Sequence, residues 1–192
     1  MNIDIKEKRV VVFGLQGSGK SYFTKKLLES PGNKKLKPLI VDPLKEYNTG
    51  TVYRPTYRSY EKGLPEINKL IQERLIKPYE AGRTHHHLFV IDEANRYAPN
   101  KKPLSSELSY LNDFSRHMKL ATLYVARRPT QLNTDLVELA HNIIIFNLSG
   151  KNDAQYLEDL SYGLGYEVKN LRKHEFMFVD ERREYTKCKP IT

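Results

Sequence analysis

Eight consecutive residues, Gly14-Leu15-Gln16-Gly17-Ser18-Gly19-Lys20-Ser21, have the types and spacing that hold a polyphosphate. They fit the pattern G-x-x-x-x-G-K-[ST], and they follow the apolar run Arg9-Val10-Val11-Val12-Phe13. A strand, a glycine-rich turn and a helix start are the context this motif needs. Glycines let the backbone close around a phosphate with its N–H groups pointing inward. The helix N-terminus adds a favourable partial positive charge. Lys20 can reach the β- and γ-phosphates and act in catalysis, and the Ser21 hydroxyl can bind Mg2+. The candidate nucleotide-binding residues are therefore Gly14, Gln16, Gly17, Ser18, Gly19, Lys20, Ser21 and Tyr22. The bland alternative is a structural glycine turn with a solvated lysine.

A second constellation lies at Leu88-Phe89-Val90-Ile91-Asp92-Glu93, an apolar run that ends in two acids. Asp92 would hold the metal shell, and Glu93 would polarise a water for in-line attack on the γ-phosphate. A second acid after such a strand fits a P-loop enzyme that hydrolyses ATP with its own glutamate, and Mg2+ is the implied metal. The competing reading of Glu93 is an acid that stabilises a helix N-terminus. An N/T-K-x-D base-reading motif would mark a GTPase; the nearest stretch, Asn147 to Asp153, does not match it.

The elements that must position these groups read as an α/β chain. Apolar runs at 9–13, 38–42, 88–91, 120–126 and 143–146 alternate with helix-period segments, as in a mainly parallel sheet flanked by helices. Ser21 to Leu28 reads as the first helix, with Pro31-Gly32 as its stop signal. Ile67, Leu70, Ile71 and Leu75 have helical spacing, as do Leu104, Leu108, Leu111 and Met118, with Ser105 as a cap. A short helix is expected over 132–140, and 176–179 with 185–188 suggests a terminal β-hairpin. The length, 192 residues, suits one domain spanning 1–192. A net charge of +9 favours a polyanionic partner. There is no signal-peptide h-region and no apolar stretch long enough to span a bilayer. Cys188 is alone, which excludes an internal disulfide and a cysteine zinc cluster and fits a cytoplasmic setting.

With these motifs in place the chain resembles the HerA–FtsK superfamily of DNA-translocating ATPases. The resemblance rests on the P-loop, on Asp42-Pro43 with Glu46-Tyr47, on Ile91 to Arg96, and on Ser115-Arg116-His117, a strand, then Ala126-Arg127-Arg128-Pro129. It covers about residues 9–179, and the small size is similar to the genome-packaging ATPases of tailless icosahedral viruses. It implies a RecA-like core that assembles as a ring, usually a hexamer, and drives double-stranded DNA through its centre. It also implies an arginine finger reaching a neighbour's nucleotide, the position of Arg116, although Arg127 or Arg128 could take that role. The plain reading of Arg116 is an exposed arginine at a helix end. Many family members carry a glutamine sensor where this chain has Arg127, a departure that would put a cation near the γ-phosphate. A capsid or membrane portal protein is an implied partner, and the host cytoplasm, with the virion, is the implied location.

Two loops have the composition of DNA contacts, which need donors that read phosphates without sequence preference. One carries Arg54 and Arg58 among tyrosines; the other carries Lys101 and Lys102. Both could equally be solvated surface loops. The run His85-His86-His87 alternates faces on an extended segment and does not converge on one ion. Two other functions remain open at this point: a nucleoside or nucleotide kinase with Asp42 as substrate acid, and a nucleotide-gated assembly ATPase like those of filamentous-phage morphogenesis.

Overall fold

The computed structural model describes residues 3–57 and 59–191. Its centre is one eight-stranded sheet in the order β3-β2-β4-β5-β1-β6-β7-β8. The strands are β1 (Arg9–Phe13), β2 (Pro38–Val41), β3 (Thr51–Tyr53), β4 (Leu88–Ile91), β5 (Ala121–Ala126), β6 (Asn142–Phe146), β7 (Phe176–Val179) and β8 (Tyr185–Cys188). From β3 to β6 all pairings are parallel. Strands β7 and β8 add antiparallel, which is the anticipated hairpin. This is the α/β, RecA-like arrangement the sequence suggested.

The parallel strands are continuous apolar runs because both of their faces are covered. Alternation along β1 shows it: Val11 and Phe13 enter one core, Val10 and Val12 the other. The helices that cover the faces include α1 (Lys20–Glu29), α3 (Tyr60–Ile71), α5 (Ser106–Phe114), α6 (Thr134–Glu138), α7 (Lys151–Leu160) and α8 (Leu164–Lys169). Ser105 caps α5 as expected, accepting from the Leu108 N–H at 3.3 Å. Helix α3 runs on through a π-helical turn (Gln72–Ile76) into α4 (Lys77–Glu80), so its apolar face stays buried as far as Ile76.

Some elements differ from expectation. Pro31 does not simply stop the first helix. It opens a separate turn, α2 (Pro31–Lys34), as its first residue, where a missing N–H costs nothing. The helix expected to run to Met118 ends at Phe114, and residues 115–119 turn tightly into β5. Strand β3 was not anticipated, being a three-residue edge strand with little burial. Helices α7 and α8 were not anticipated either. Only Asp153 and Leu157 of α7 are buried, so its sequence reads as polar.

Candidate functional site

The P-loop leaves β1 at the middle of the sheet. Strand β5 stands between β1 and β4 and pairs with both, so the carboxyl ends of β1, β4 and β5 meet at one edge. Register places Phe13 beside Ala126 and Ile91 beside Tyr124. Gly14, Asp92 and Arg127 therefore emerge close together, although 113 positions separate the first from the last. In open α/β sheets a ligand crevice sits outside the carboxyl ends of the strands, and one is found here.

That pocket has a volume of about 320 Å³. Gln16, Gly17, Gly19, Lys20, Ser21 and Tyr22 form one wall; Asp92, Glu93 and Arg127 form the other, with Leu44 and Glu46 at the side. Gly14 and Ser18 do not line it; Ser18 lines an adjoining hollow with Gln16 and Gly17. A Cβ on Gly14 would come within 2.5 Å of Ser18 Oγ and 2.7 Å of Phe146 Cβ, so only glycine fits this turn. Gly17 and Gly19 have positive φ angles of 77° and 108°, a backbone conformation that glycine adopts without strain.

Lys20 folds back so that its Nζ donates to the Leu15 carbonyl at 3.0 Å. Burial lowers its pKa from the ordinary value, while Glu93 and Asp92 pull the other way. The ammonium is thus held over the loop, on the wall of the pocket.

Asp92 is buried, and it accepts a 2.9 Å hydrogen bond from the Glu93 N–H. Desolvation pushes its carboxyl up to about 7, with Glu46, Glu93 and Asp42 adding repulsion. Such a concentration of negative potential suits a divalent cation, and Ser21 brings a hydroxyl to the same pocket. Asp42 is fully buried and is spoken for structurally. Its two oxygens accept from the N–H groups of Glu46 (2.9 Å) and Tyr47 (3.0 Å), which fixes the loop presenting Glu46.

Glu93 occupies a left-handed backbone conformation, φ 52°, between β4 and the 3-10 turn Ala94–Arg96. A non-glycine residue there is uncommon, and such conformations gather at functional sites. Its carboxylate is held by two cations. Arg127 Nε lies 3.1 Å from Oε1, and Arg96 Nε lies 3.4 Å from Oε2. Neither pairing was legible in the sequence, where Arg127 suggested a γ-phosphate contact.

Arg128 points elsewhere. Its Nε lies 3.7 Å from Asp153 at the start of α7, and Thr130 Oγ1 donates to the same carboxylate at 2.6 Å. Arg116 sits at the opposite edge of the sheet. It lies five positions before β5 begins, in the turn closed by Lys119 N–H to Arg116 O at 3.1 Å, and near His141, which precedes β6. The six residues of β5 span about 20 Å at ~3.3 Å per residue, so exposed Arg116 cannot reach its own chain's pocket.

Among the DNA candidates, Arg54 and Lys101 are exposed in loops at the pocket edge of the sheet. Lys102 is also exposed; its Nζ lies 3.8 Å from Glu61 and 4.1 Å from the centre of the Tyr60 ring. Arg58 lies outside the described residues. The histidine run serves the edge of β4, with His86 Nδ1 at 2.8 Å from the Lys37 carbonyl.

Sequence reasoning missed a second hollow that adjoins the first at Gly19 and Tyr22. It has a volume of about 380 Å³ and a mostly apolar lining that includes Phe146, His174, Phe176 and Ile191. Phe23, Phe146 and Phe176 meet at ring distances of 5.1 to 5.7 Å. A mostly apolar hollow beside a phosphate cradle is chemically suited to an aromatic base.

The family model described as "Helicase HerA, central domain" matches residues 2–187. No curated protein matches the chain in sequence. Several solved structures share the fold. The genome packaging NTPase B204 from Sulfolobus turreted icosahedral virus 2, solved with AMPPCP, has a TM-score of 0.79 at 24% identity, with 98% of this chain and 100% of that chain covered. VirB4 of Thermoanaerobacter pseudethanolicus has a TM-score of 0.64 at 13% identity, covering 99% of this chain and 93% of that one. The N-terminal domain of zonular occludens toxin from Neisseria meningitidis gives 0.56 at 12% identity, with 96% and 95% covered.

Proposed function

This chain belongs to the HerA central-domain family, within the HerA–FtsK superfamily of P-loop ATPases, and on that premise we propose that it is a ring-forming motor driving double-stranded DNA at the expense of ATP, in the service of viral genome packaging. The observation that carries the reading is the placement of Arg116. A pocket with its own lysine and acids, but with the candidate finger on the far edge of the same sheet, is complete only when a second copy docks edge to edge. Head-to-tail contacts of this kind generate rings where the rotation between copies closes. Large apolar side chains are exposed at both edges: Phe114 and Leu139 near Arg116, and Tyr22 and Leu44 at the pocket. The net charge of +9 supports a polyanionic track. The likeness to B204, named as a genome packaging NTPase, extends over nearly all of both chains.

In this reading the loop N–H groups and Lys20 hold the triphosphate, and the aromatic hollow takes the adenine. Ser21 and Asp92 would hold Mg2+, which neutralises charge on the β- and γ-phosphates. Glu93 accepts a proton from the attacking water, and Arg116 of a neighbouring copy stabilises the charge that develops on the transferred phosphoryl group. The 192 residues act as one ATPase domain, the ring is a hexamer, and a capsid or membrane portal protein docks it in the host cytoplasm or on the virion. Subunit mixing tests the shared site. Arg116→Ala and Glu93→Gln should each be inactive alone. Mixed, they should recover turnover, because some interfaces then join an intact Glu93 to an intact Arg116. No recovery in mixtures shown to co-assemble would refute an arginine supplied in trans.

A further inference from the structure

Arg9 opens β1, at the amino end of the strand whose carboxyl end carries the P-loop. Its side chain joins the ends of two helices. Nη1 donates to the Asn112 carbonyl at 2.8 Å, and Nε donates to the Leu139 carbonyl at 2.8 Å. Asn112 is in the last turn of α5, and Leu139 directly follows α6. Carbonyls at helix ends lack the N–H of a next turn, and a cation beside them also suits the helix dipole. The Arg9 backbone adds two ties to the start of β6: its N–H donates to His141 Nδ1 at 3.0 Å, and its carbonyl accepts from the His141 N–H at 2.8 Å. Arg183, in the β7–β8 turn, donates to the neighbouring Ala140 carbonyl at 3.0 Å. The backbone fastened in this way carries the edge at which Arg116 stands. Phe114 lies two residues beyond Asn112, and its exposed ring stacks on Tyr110 with centroids 4.8 Å apart. Leu139 is itself exposed. Arg116 follows in a turn tied to α5 by the Ser115 N–H donating to the Leu111 carbonyl at 3.0 Å, and to the start of β5 by the Leu120 N–H donating to the Ser115 carbonyl at 2.9 Å. Where the end of α5 goes, the turn follows.

We propose that Arg9 is a positioning residue for the face that meets a neighbouring copy: it sets the end of α5 against the end of α6, so that Phe114, Leu139 and Arg116 are presented together. The inference rests on the reading of Arg116 as a group supplied in trans, and it names what aims that group. The five residues of β1 span about 17 Å at ~3.3 Å per residue, so Arg9 does not touch its own chain's nucleotide. The role needs a guanidinium. Nε and Nη1 send donors in two directions from one planar group, so a single side chain bridges two helices; the one nitrogen of a lysine does not reproduce both contacts. When the fork is lost, Arg183 still holds the stretch after α6, whereas the Asn112 carbonyl loses its donor. The end of α5 is then the part that shifts, and Arg116 shifts with it. A misplacement of ~1 Å, caused far from the chemistry, costs about 100-fold in rate.

Subunit mixing assigns Arg9 to one side of the interface. Arg9→Gln and Arg9→Lys, in the full chain, are assayed for ATP turnover alone and in mixtures with Glu93→Gln or with Arg116→Ala, and their ATP affinity is measured by calorimetry. Arg9→Gln alone should lose turnover by about 100-fold, with ATP affinity unchanged. Mixed with Glu93→Gln it should recover turnover as Arg116→Ala does, because the partner then brings a well-aimed arginine to an intact Glu93. Mixed with Arg116→Ala it should not recover, because both variants carry the fault on the same edge. Arg9→Lys keeps one of the two contacts and serves should the glutamine variant misfold; it should lie between Arg9→Gln and wild type and mix in the same way. Wild-type turnover in both Arg9 variants would overturn the proposal. Recovery with Arg116→Ala would overturn it too, by placing the fault in the pocket, as would recovery with neither partner, the outcome of a purely structural role. No recovery in the control mixture of Arg116→Ala with Glu93→Gln would instead sink the shared site on which the inference rests.

Discussion

Replacing Asp92 by asparagine should make the nucleotide-free protein more stable at neutral pH, even though it removes a proposed metal ligand. Burial and three neighbouring acids push the Asp92 carboxyl up to about 7 in the folded protein. In an unfolded chain the same group titrates near ~3.9. Between those values the folded state holds a proton that the unfolded state has released. Stability therefore falls as pH rises through that window, and the loss is complete above about pH 7. A displacement of ~3 pH units at ~1.4 kcal/mol each sets an upper bound of about 4 kcal/mol. Repulsion from Glu46, Glu93 and Asp42 is part of the cause, so part of the gain persists as relief for those acids. Urea or thermal denaturation of both proteins from pH 4 to 8, without divalent cation, measures the difference. The variant should be nearly equal to wild type near pH 4 and more stable by ~2–4 kcal/mol at pH 8, or roughly 5–15 °C in Tm for a chain of this size. Adding Mg2+ and ATP should narrow the gap, because only the wild type keeps the carboxylate proposed to hold the cation. A variant no more stable than wild type at pH 8, or a gap that does not change with pH, would refute the reasoning.

Other substitutions test the scaffold around the site. Gly14→Ala forces a methyl group against Ser18 Oγ and Phe146 Cβ; it should cost ~1–3 kcal/mol and abolish ATP binding measured by calorimetry. Phe176→Ala removes a ring packed edge-on against Phe23 at 5.1 Å; denaturation should show a loss of ~3–5 kcal/mol, and ATP affinity should fall more than tripolyphosphate affinity. Asp153→Ala leaves Arg128 and Thr130 without the carboxylate they share; a loss of ~1–3 kcal/mol with ATP affinity unchanged would separate Arg128's anchoring role from a catalytic one.

The parts of the site that sequence reveals are those that are contiguous. Gly14 to Ser21, and Leu88 to Glu93, each combine a buried strand with a fixed offset of polar groups, so periodicity and spacing suffice. What stays hidden is assembled across the sheet. Arg127 reaches Glu93 only because β5 lies beside β4. The aromatic hollow joins Tyr22 to Phe146, His174 and Phe176, residues with no local pattern in common. Glu46 enters the pocket because buried Asp42 ties down the backbone around it. Helix α7 escapes notice because one apolar side chain, Leu157, and the Asp153 carboxylate shared by Arg128 and Thr130 are all it buries. The far-edge position of Arg116 follows from the parallel strand direction that the alternation of runs implied, whereas its finger role came only through family resemblance.

Movement along duplex DNA is the central claim, and displacement of a third strand measures it most directly. A labelled triplex-forming oligonucleotide is annealed to a long duplex, and its release is followed after ATP is added at low salt. The account predicts release by the wild-type protein that needs hydrolysable ATP and Mg2+ and is lost in Glu93→Gln. Robust ATP turnover with no release above the Glu93→Gln background would contradict it.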